Sequence, residues 1–174
     1  MSESNPYQHH EAAWADQSAT DVTVELRGMR IVGGALILGA LFFLGVILFL
    51  GGFQNESFEK AGMIAWIGVG FGVLELLMSY VMPPRIERRA LDGLAHREQV
   101  PASEYLGVYR GKMVVGQSLA EGGAFMNILM YFLDGQLMNL GMVGVLVGRI
   151  AMLIPTRGRL IQYLREQGAG GEEG

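Results

Sequence analysis

Three ionisable side chains lie inside long apolar stretches of the chain: Glu75, Glu121 and Arg149. A charged residue near the centre of a membrane helix costs about 2.5–3.5 kcal/mol on insertion scales, so it needs a partner or a function. A carboxylate in such a place can pair with an arginine, exchange a proton or bind a cation. These three residues are therefore the first candidates for chemistry in this sequence.

Their spacing predicts that two of them lie at one depth. Glu121 precedes Gly135 by 14 residues and Arg149 follows it by 14, and Gly135 is the centre of a short polar link. Because an α-helix rises about 1.5 Å per residue, an antiparallel hairpin around this link places both side chains at the same level. We expect an ion pair between them, with Glu75 entering from another hairpin at a similar level.

Gln117 and Ser118 lie one turn before Glu121, and we expect them to extend the buried polar layer towards the cytoplasm. Three interpretations remain open. Glu121 and Arg149 neutralise each other, with Glu75 protonated or sharing the arginine. Alternatively, a carboxylate carries a proton, or binds a cation or small substrate, in a polar cavity. In the third interpretation Arg149 only extends to the cytoplasmic face of the membrane.

One helix of the chain resembles a known family. The stretch Gly111–Phe125, GKMVVGQSLAEGGAF, resembles the second helix of subunit c of the rotary ATP synthases. That resemblance implies a basic cytoplasmic loop leading into an apolar helix, with Glu121 as the proton-carrying carboxylate. As a whole, the chain resembles small multi-pass bacterial membrane proteins of unknown function.

The composition indicates which elements position these residues. The chain is 51% apolar and 17% charged, against about 25% charged in ordinary globular domains. Ile31–Phe53 has no charge over 23 residues, and about 20 residues suffice to span a bilayer as a helix. We expect an all-α integral membrane four-helix bundle of two antiparallel transmembrane hairpins. The predicted spans are about 31–53, 62–82, 113–133 and 137–154.

The basic residues predict the orientation. The pair Pro83–Pro84 predicts the end of the second span. Residues 83–112, which begin with this pair, are predicted to be a basic loop that contains a short amphipathic helix on the membrane surface. By the positive-inside rule this loop and both termini are cytoplasmic, and the protein lies in the cell (inner) membrane. Residues 1–26 are predicted to be an acidic disordered tail, and residues 155–174 a second cytoplasmic tail.

Small residues four apart predict close helix packing in three segments, Ala35–Gly39, Gly68–Gly72 and Gly144–Gly148. We expect this packing within the chain, with homo-oligomerisation or a membrane-protein partner as the alternative. The lipid bilayer is the expected environment, and the arginines of residues 85–112 suggest anionic lipid as an added partner. The net charge of −4 argues against nucleic acid.

Other chemistry has little support in the sequence. The chain has no cysteine, and His9–His10 lack the spacing and further ligands of a metal site. Phosphate-loop, nucleophile-elbow and HExxH patterns do not occur. We therefore expect no enzyme, no catalytic residue, no cofactor and no metal. The favoured function is a structural, scaffolding or accessory role, and the alternative is a proton- or cation-coupled transport component using Glu121 and Glu75.

Overall fold

The computed structural model describes residues 6–51, 62–97 and 100–167, with side chains from residue 22 onward. These residues form five helices and no strand. The helices are α1 Pro6–Gly51, α2 Met63–Leu94, α3 Ala102–Asp134, α4 Leu137–Leu153 and α5 Arg157–Glu166. The predicted all-helical class is thus confirmed for the described part of the chain.

Two helical segments, Val22–Gly51 of α1 and Met63–Leu94, are long and apolar enough to cross a membrane. α4 and α5 meet the same criterion only together, and they are bent by 61° at the break between them. Large apolar side chains such as Phe42, Phe49 and Trp66 point outward from the first two helices. This outward apolar surface is compatible with a membrane location, since lipid can cover it.

α1 begins earlier than the predicted first span. The structure places Pro6–Gly51 in one helix, so the segment predicted as a disordered tail belongs to α1 from Pro6 onward, while residues 1–5 lie outside the described part. Val22, Leu26 and Met29 are buried against α3 and α5. Their spacing of four and three residues is that of a helix face, and it was the overlooked sign that the helix starts before the apolar run.

The predicted basic loop 83–112 is largely helical. α2 continues through Pro83 and Pro84 to Leu94, and α3 begins at Ala102, so only residues 95–101 connect them. Ile86, Ala90 and Leu94 line a groove of about 400 Å³ against α3. The amphipathic pattern seen in the sequence therefore faces α3 rather than a membrane surface. The prediction that the helix stops at these prolines is wrong.

α3 and α4 form a tight antiparallel hairpin, as predicted. Gly135 ends α3 with a φ of 68°, and its N–H donates to the carbonyl of Tyr131 at 2.8 Å. This left-handed conformation strains residues with a Cβ, so glycine suits the position. The register is clear from the glycines, because Gly116 lies against Leu153 and Gly123 against Leu146.

α3 is the central helix, and it packs against all four others. α1 and α2 each pack on α3 and α4 but hardly on each other in the described segments, so they do not form the second packed hairpin that was predicted. α1 runs parallel to α3, since Gly33 faces Gln117 and Phe43 contacts Phe125. The start of α3 and the ends of α2 and α4 consequently lie at one end of the bundle, beside the part of α1 around Glu25, which contacts Arg110.

The buried apolar residues form two clusters. The larger one lies in the middle of the bundle and contains Ala40, Ile47, Ala120, Ala124, Ile128, Tyr131, Val143, Leu146 and Ile150. The smaller one lies at the end of the bundle where α5 packs, and contains Val22, Leu26, Met29, Leu106, Tyr109, Met113, Leu160 and Tyr163. The second cluster fixes α5 beside α1 and α3, so the bend before α5 is held by packing.

Candidate functional site

The depth predicted for Glu121 and Arg149 agrees with the register of the hairpin. Gly116 opposite Leu153 and Gly123 opposite Leu146 place Glu121 and Arg149 within one residue of the same level. The two side chains nevertheless point to different sides of the hairpin, Glu121 towards α1 and Arg149 towards α2. The three ion pairs among the described residues all lie elsewhere, so the predicted pair between Glu121 and Arg149 is not formed in this structure.

Arg149 is instead bound to α2 at Ser79 and Tyr80. Its Nε donates to Ser79 Oγ at 3.2 Å, and its Nη2 donates to the Ser79 carbonyl oxygen at 3.0 Å. The guanidinium carbon lies 3.6 Å from the centre of the Tyr80 ring, in cation–π contact. Ser79 is fully buried, and its hydroxyl donates to the Leu76 carbonyl at 2.7 Å.

This contact explains how α2 passes the first of its two prolines. A proline at position 83 has no N–H to donate to the carbonyl four residues earlier, which belongs to Ser79. An unpaired carbonyl is costly in an apolar environment, and in membrane helices neighbouring groups usually pair it. Here Arg149 of α4 supplies the missing donor to the Ser79 carbonyl, and α2 continues past Pro83 to Leu94.

Gly116 of α3 makes room for this broken turn. A Cβ built on Gly116 would lie 3.2 Å from Pro83 Cγ, 3.1 Å from Leu153 Cδ1 and 3.6 Å from the Ser79 carbonyl oxygen. The absence of a side chain at Gly116 therefore lets three helices meet at the prolines. Arg149, Ser79, Tyr80 and Pro83 together with this glycine are called the proline joint below.

Glu75 lies one turn before Ser79 on the same helix, in the same interface. A Cβ on Gly123 would lie 3.0 Å from Glu75 Cβ, which places the base of this side chain directly against α3. Its Oε2 is buried and has no hydrogen-bond partner. Arg149 lies beyond ion-pair distance of Glu75. Glu75 is therefore one helical turn from the proline joint but is not part of it.

The predicted polar strip on α3 divides between burial and exposure. Glu121 is half-buried and faces α1, where a Cβ on Gly39 would lie 3.7 Å from its Oε1. Gln117 is 1% exposed, and its Nε2 lies 2.7 Å from the Cβ position of Gly33 and lacks a hydrogen-bond partner. Ser118 is exposed on the bundle surface. The strip is therefore an interface with α1 at two of its three positions.

Two buried asparagines complete the polar set and were missed as site residues. Asn127 of α3 donates from Nδ2 to the Gly123 carbonyl at 2.9 Å, and a Cβ on Gly72 would lie 2.6 Å from that nitrogen. Asn139 of α4 faces Gly68, whose Cβ position lies 2.7 Å from Asn139 Oδ1. The sequence signal was the glycine pair of Gly68–Gly72, which marks the side of α2 that meets them.

The small-residue segments have different outcomes. Gly68 and Gly72 are buried between helices, as predicted. Cβ atoms on Gly144 and Gly148 would meet no atom within 4 Å, so these two glycines do not form the close helix contact predicted for them. Ala35 is exposed, and the contact made at Gly39 is the one with Glu121.

Four buried polar side chains share one arrangement: Gln117, Asn127 and Asn139 each lie against a glycine of a neighbouring helix, and Ser79 belongs to the proline joint. Small residues bring membrane helices close, and polar side chains then bond across the contact. Two surface grooves of the described residues are mainly apolar, and neither is lined by Glu75, Glu121 or Arg149. The arrangement suits helix packing, and no three metal-ligating side chains converge in the described residues.

Comparison with known proteins adds no assignment: no family model, curated protein or solved structure matches this chain. The likeness to subunit c stays a resemblance of one helix. In this fold Glu121 of that helix faces Gly39 of α1.

Proposed function

We propose that the chain is a small multi-pass membrane protein with a structural, scaffolding or accessory role. The observation that carries this proposal is the bond from Arg149 to the Ser79 carbonyl at 3.0 Å. The one arginine within the proposed spans completes the hydrogen bonding of a neighbouring helix and lines neither of the two apolar grooves. Gln117, Asn127 and Asn139 likewise lie in helix contacts. These side chains stabilise one arrangement of helices, as expected of a scaffold.

Four crossings remain our proposal, with α1 to α4 each passing the bilayer once. α3 carries more polar residues than α1 and α2, and it is the central helix with eleven buried residues. A central helix contacts protein on most sides, so it does not need the uniformly apolar surface of a lipid-facing helix. Burial thus accounts for its lower apolar content.

We further propose that both termini and the α2–α3 connection are cytoplasmic, in a bacterial inner membrane. The ends of α2 and α4 and the start of α3 lie at one end of the bundle, which fits alternating crossings. Lysines and arginines concentrate at this end, as the positive-inside rule requires.

Cysteine accessibility tests this topology, because the chain has no cysteine of its own. Single variants Ser57→Cys, Ala95→Cys, Leu137→Cys and Gln167→Cys are treated in intact cells with a membrane-impermeant maleimide. We expect positions 57 and 137 to react from outside, and positions 95 and 167 only after permeabilisation. Reaction of Leu137→Cys from the cytoplasmic side alone would refute the crossings by α3 and α4.

A second candidate function is proton- or cation-coupled transport, and the buried, unpaired Oε2 of Glu75 favours it. Buried carboxylates in membrane helices often serve as ion or proton sites. Proton flux into vesicles containing the purified protein, followed with a trapped pH dye, separates the two functions. If the protein is a scaffold, we expect the proton flux to equal that of vesicles without protein. A higher flux that disappears in Glu75→Gln or Glu121→Gln, with the protein still folded, would establish transport instead.

A further inference from the structure

The exposed surface changes from apolar residues to arginine on three separate helices. Ile31 of α1 is 62% exposed and directly follows Arg30. Met82 of α2 is 38% exposed and is followed, after the two prolines, by the exposed Arg85. This sharp change marks a boundary between an apolar and an aqueous environment.

The same change occurs where α4 ends. Met152 is 69% exposed, and the exposed Arg157 begins α5 just beyond Pro155. The bend of 61° at this point turns α5 away from the direction of α4. α5 therefore leaves the apolar region at the position where its first arginine appears.

Contacts between helices place these three changes at one level. Arg30 Nε donates to the Pro155 carbonyl oxygen at 3.3 Å, which joins the α1 and α4 boundaries. Gly116 lies against both Pro83 and Leu153, which joins the α2 and α4 boundaries. Arg30, Arg85 and Arg157 thus form a ring around one end of the bundle, called the boundary arginines here.

The boundary arginines differ from three other basic residues at this end. Arg97, Arg110 and Lys112 each form an ion pair, with Glu104, Glu25 and Glu87 respectively. In the described part of the chain, none of the boundary arginines contacts a carboxylate within ion-pair distance. The net charge of the chain is −4, so this local positive ring is not a consequence of overall composition.

We propose that the boundary arginines bind the phosphate groups of anionic lipids. At this level a bilayer presents its headgroup phosphates, and the guanidinium group matches phosphate oxygens with two parallel hydrogen bonds. Anionic lipid headgroups thereby supply the counter-charge that the protein itself does not provide. The proposal rests on the membrane insertion proposed above and extends it to a preference among lipids.

Lipid retention tests the proposal on the full chain. The protein is reconstituted in bilayers of phosphatidylcholine and phosphatidylglycerol, extracted gently, and its retained lipids are counted by native mass spectrometry. The test variant combines Arg30→Gln, Arg85→Gln and Arg157→Gln. The control combines Arg97→Gln, Arg110→Gln and Arg165→Gln, which removes the same charge away from the boundary. Flotation with vesicles after an alkaline wash first establishes that each chain is inserted.

We expect the unaltered chain to retain phosphatidylglycerol about fivefold or more above its share of the bilayer, the factor that corresponds to about one well-placed basic residue. The control variant should keep this enrichment, and the test variant should lose it. Equal loss in both variants would show diffuse attraction and overturn the proposal. No enrichment in an inserted chain would overturn it while leaving membrane insertion intact.

Two further arms close the test. If the triple variant does not insert, the double variant Arg85→Gln with Arg157→Gln is used in place of the triple variant. The double variant keeps the bond from Arg30 to the Pro155 carbonyl. Inorganic phosphate added at constant ionic strength distinguishes a lipid site from a site for a free anion. We expect no displacement of phosphatidylglycerol, and displacement by inorganic phosphate would overturn the assignment to lipid. A chain that washes off the vesicles would overturn insertion and this proposal together.

Discussion

The two faces of α3 pack against their neighbours in different ways. On the face towards α2, glycines on both helices bring rigid parts of the chain together, as at Gly68, where a Cβ would lie 2.9 Å from Met130 Cβ. On the face towards α1, the nearest atoms to a Cβ on Gly33 belong to side chains, Nε2 of Gln117 and Cγ1 of Ile154. The α2 face is thus fixed near the backbone, and the α1 face is fixed by side chains that can move.

The difference also concerns charge. The α2 face contains the proline joint, where Arg149 completes the hydrogen bonding of another helix. The α1 face contains Glu121 beside Gly39, with no partner for its carboxylate in the described residues. Around Glu121 the packing of α1 on α3 therefore depends on shape, whereas the α2 face depends on a specific polar contact. Substitutions that act on each face separately can test this contrast.

The largest effect is expected from Gly68→Ala on the α2 face. The added Cβ would lie 2.7 Å from Asn139 Oδ1 and 2.9 Å from Met130 Cβ, and the latter atom moves only with its backbone. We expect the free energy of unfolding to fall by about 2 kcal/mol, within the range for overpacked interiors. Denaturation with SDS in mixed micelles measures this change.

Gly70→Ala is the matched control, since a Cβ there meets no atom within 4 Å. It adds the same methyl group to the same helix and should preserve or slightly raise stability, because alanine favours a helix. Similar losses in both variants would contradict the close packing of α2 on α3.

Arg149→Leu should have the next largest effect, because it removes the donor to the Ser79 carbonyl beside Pro83. We expect a loss of about 1.5 kcal/mol in the free energy of unfolding, typical of a hydrogen bond to a charged group. We also expect α2 to change its bend. Spin labels on Gly93→Cys and Gly144→Cys, both at positions with open space, report the bend as a change in distance.

The double variant Arg149→Leu with Glu121→Gln separates the proline joint from the ion pair predicted by the sequence. The structure implies that removing Glu121 does not restore the stability lost at Arg149, since the two side chains contact different helices. Full restoration would show that the two charges interact after all.

Gly33→Ala on the α1 face should cost less, below about 1 kcal/mol, because Gln117 and Ile154 side chains can move away from the new methyl group. Gly34→Ala, with open space at its Cβ, serves as its control in the same SDS titration. A cost at Gly33 as large as that at Gly68 would remove the contrast between the two faces.

The smallest expected effect is a change of stability with pH, caused by Tyr163 in the smaller apolar cluster. Burial, together with the nearby Glu87 carboxylate, raises the pKa of Tyr163 from 10.0 to about 12. Between these values the unfolded chain loses the tyrosine proton and the folded chain keeps it, so stability should fall as pH rises from 10.0 to about 12. Tyr163→Phe should weaken this fall in thermal unfolding measured across that range. If stability falls equally steeply with pH in Tyr163→Phe, other groups cause the fall.

The sequence predicted the depth of the buried charged residues better than the direction in which their side chains point. Counting residues from Gly135 placed Glu121 and Arg149 at one level, because helix rise is constant. Which side of the hairpin each faces depends on the rotation of α3 and α4 against α1 and α2, and one chain's spacing does not encode that rotation. The expected ion pair failed for this reason, although both residues had been recognised.

The ends of the helices were predicted less well for a related reason. Pro83 normally ends a helix, and the donor that compensates for it, Arg149, lies 66 residues later. Local rules have no means to detect such a partner. By contrast, the turn at Gly135 could be predicted, because the left-handed conformation that it needs depends only on neighbouring residues. Features that depend on neighbouring residues were predictable, and those that depend on distant ones were not.

The proline joint also has a consequence for biosynthesis. The chain is made from its N-terminus, so the whole of α2 has been synthesised well before Arg149. Until α4 arrives, the Ser79 carbonyl has no donor from that helix, and α2 remains incomplete at Pro83. The arrival of α4 is therefore the step that completes α2, and a chain truncated after α3 would lack the donor to the Ser79 carbonyl.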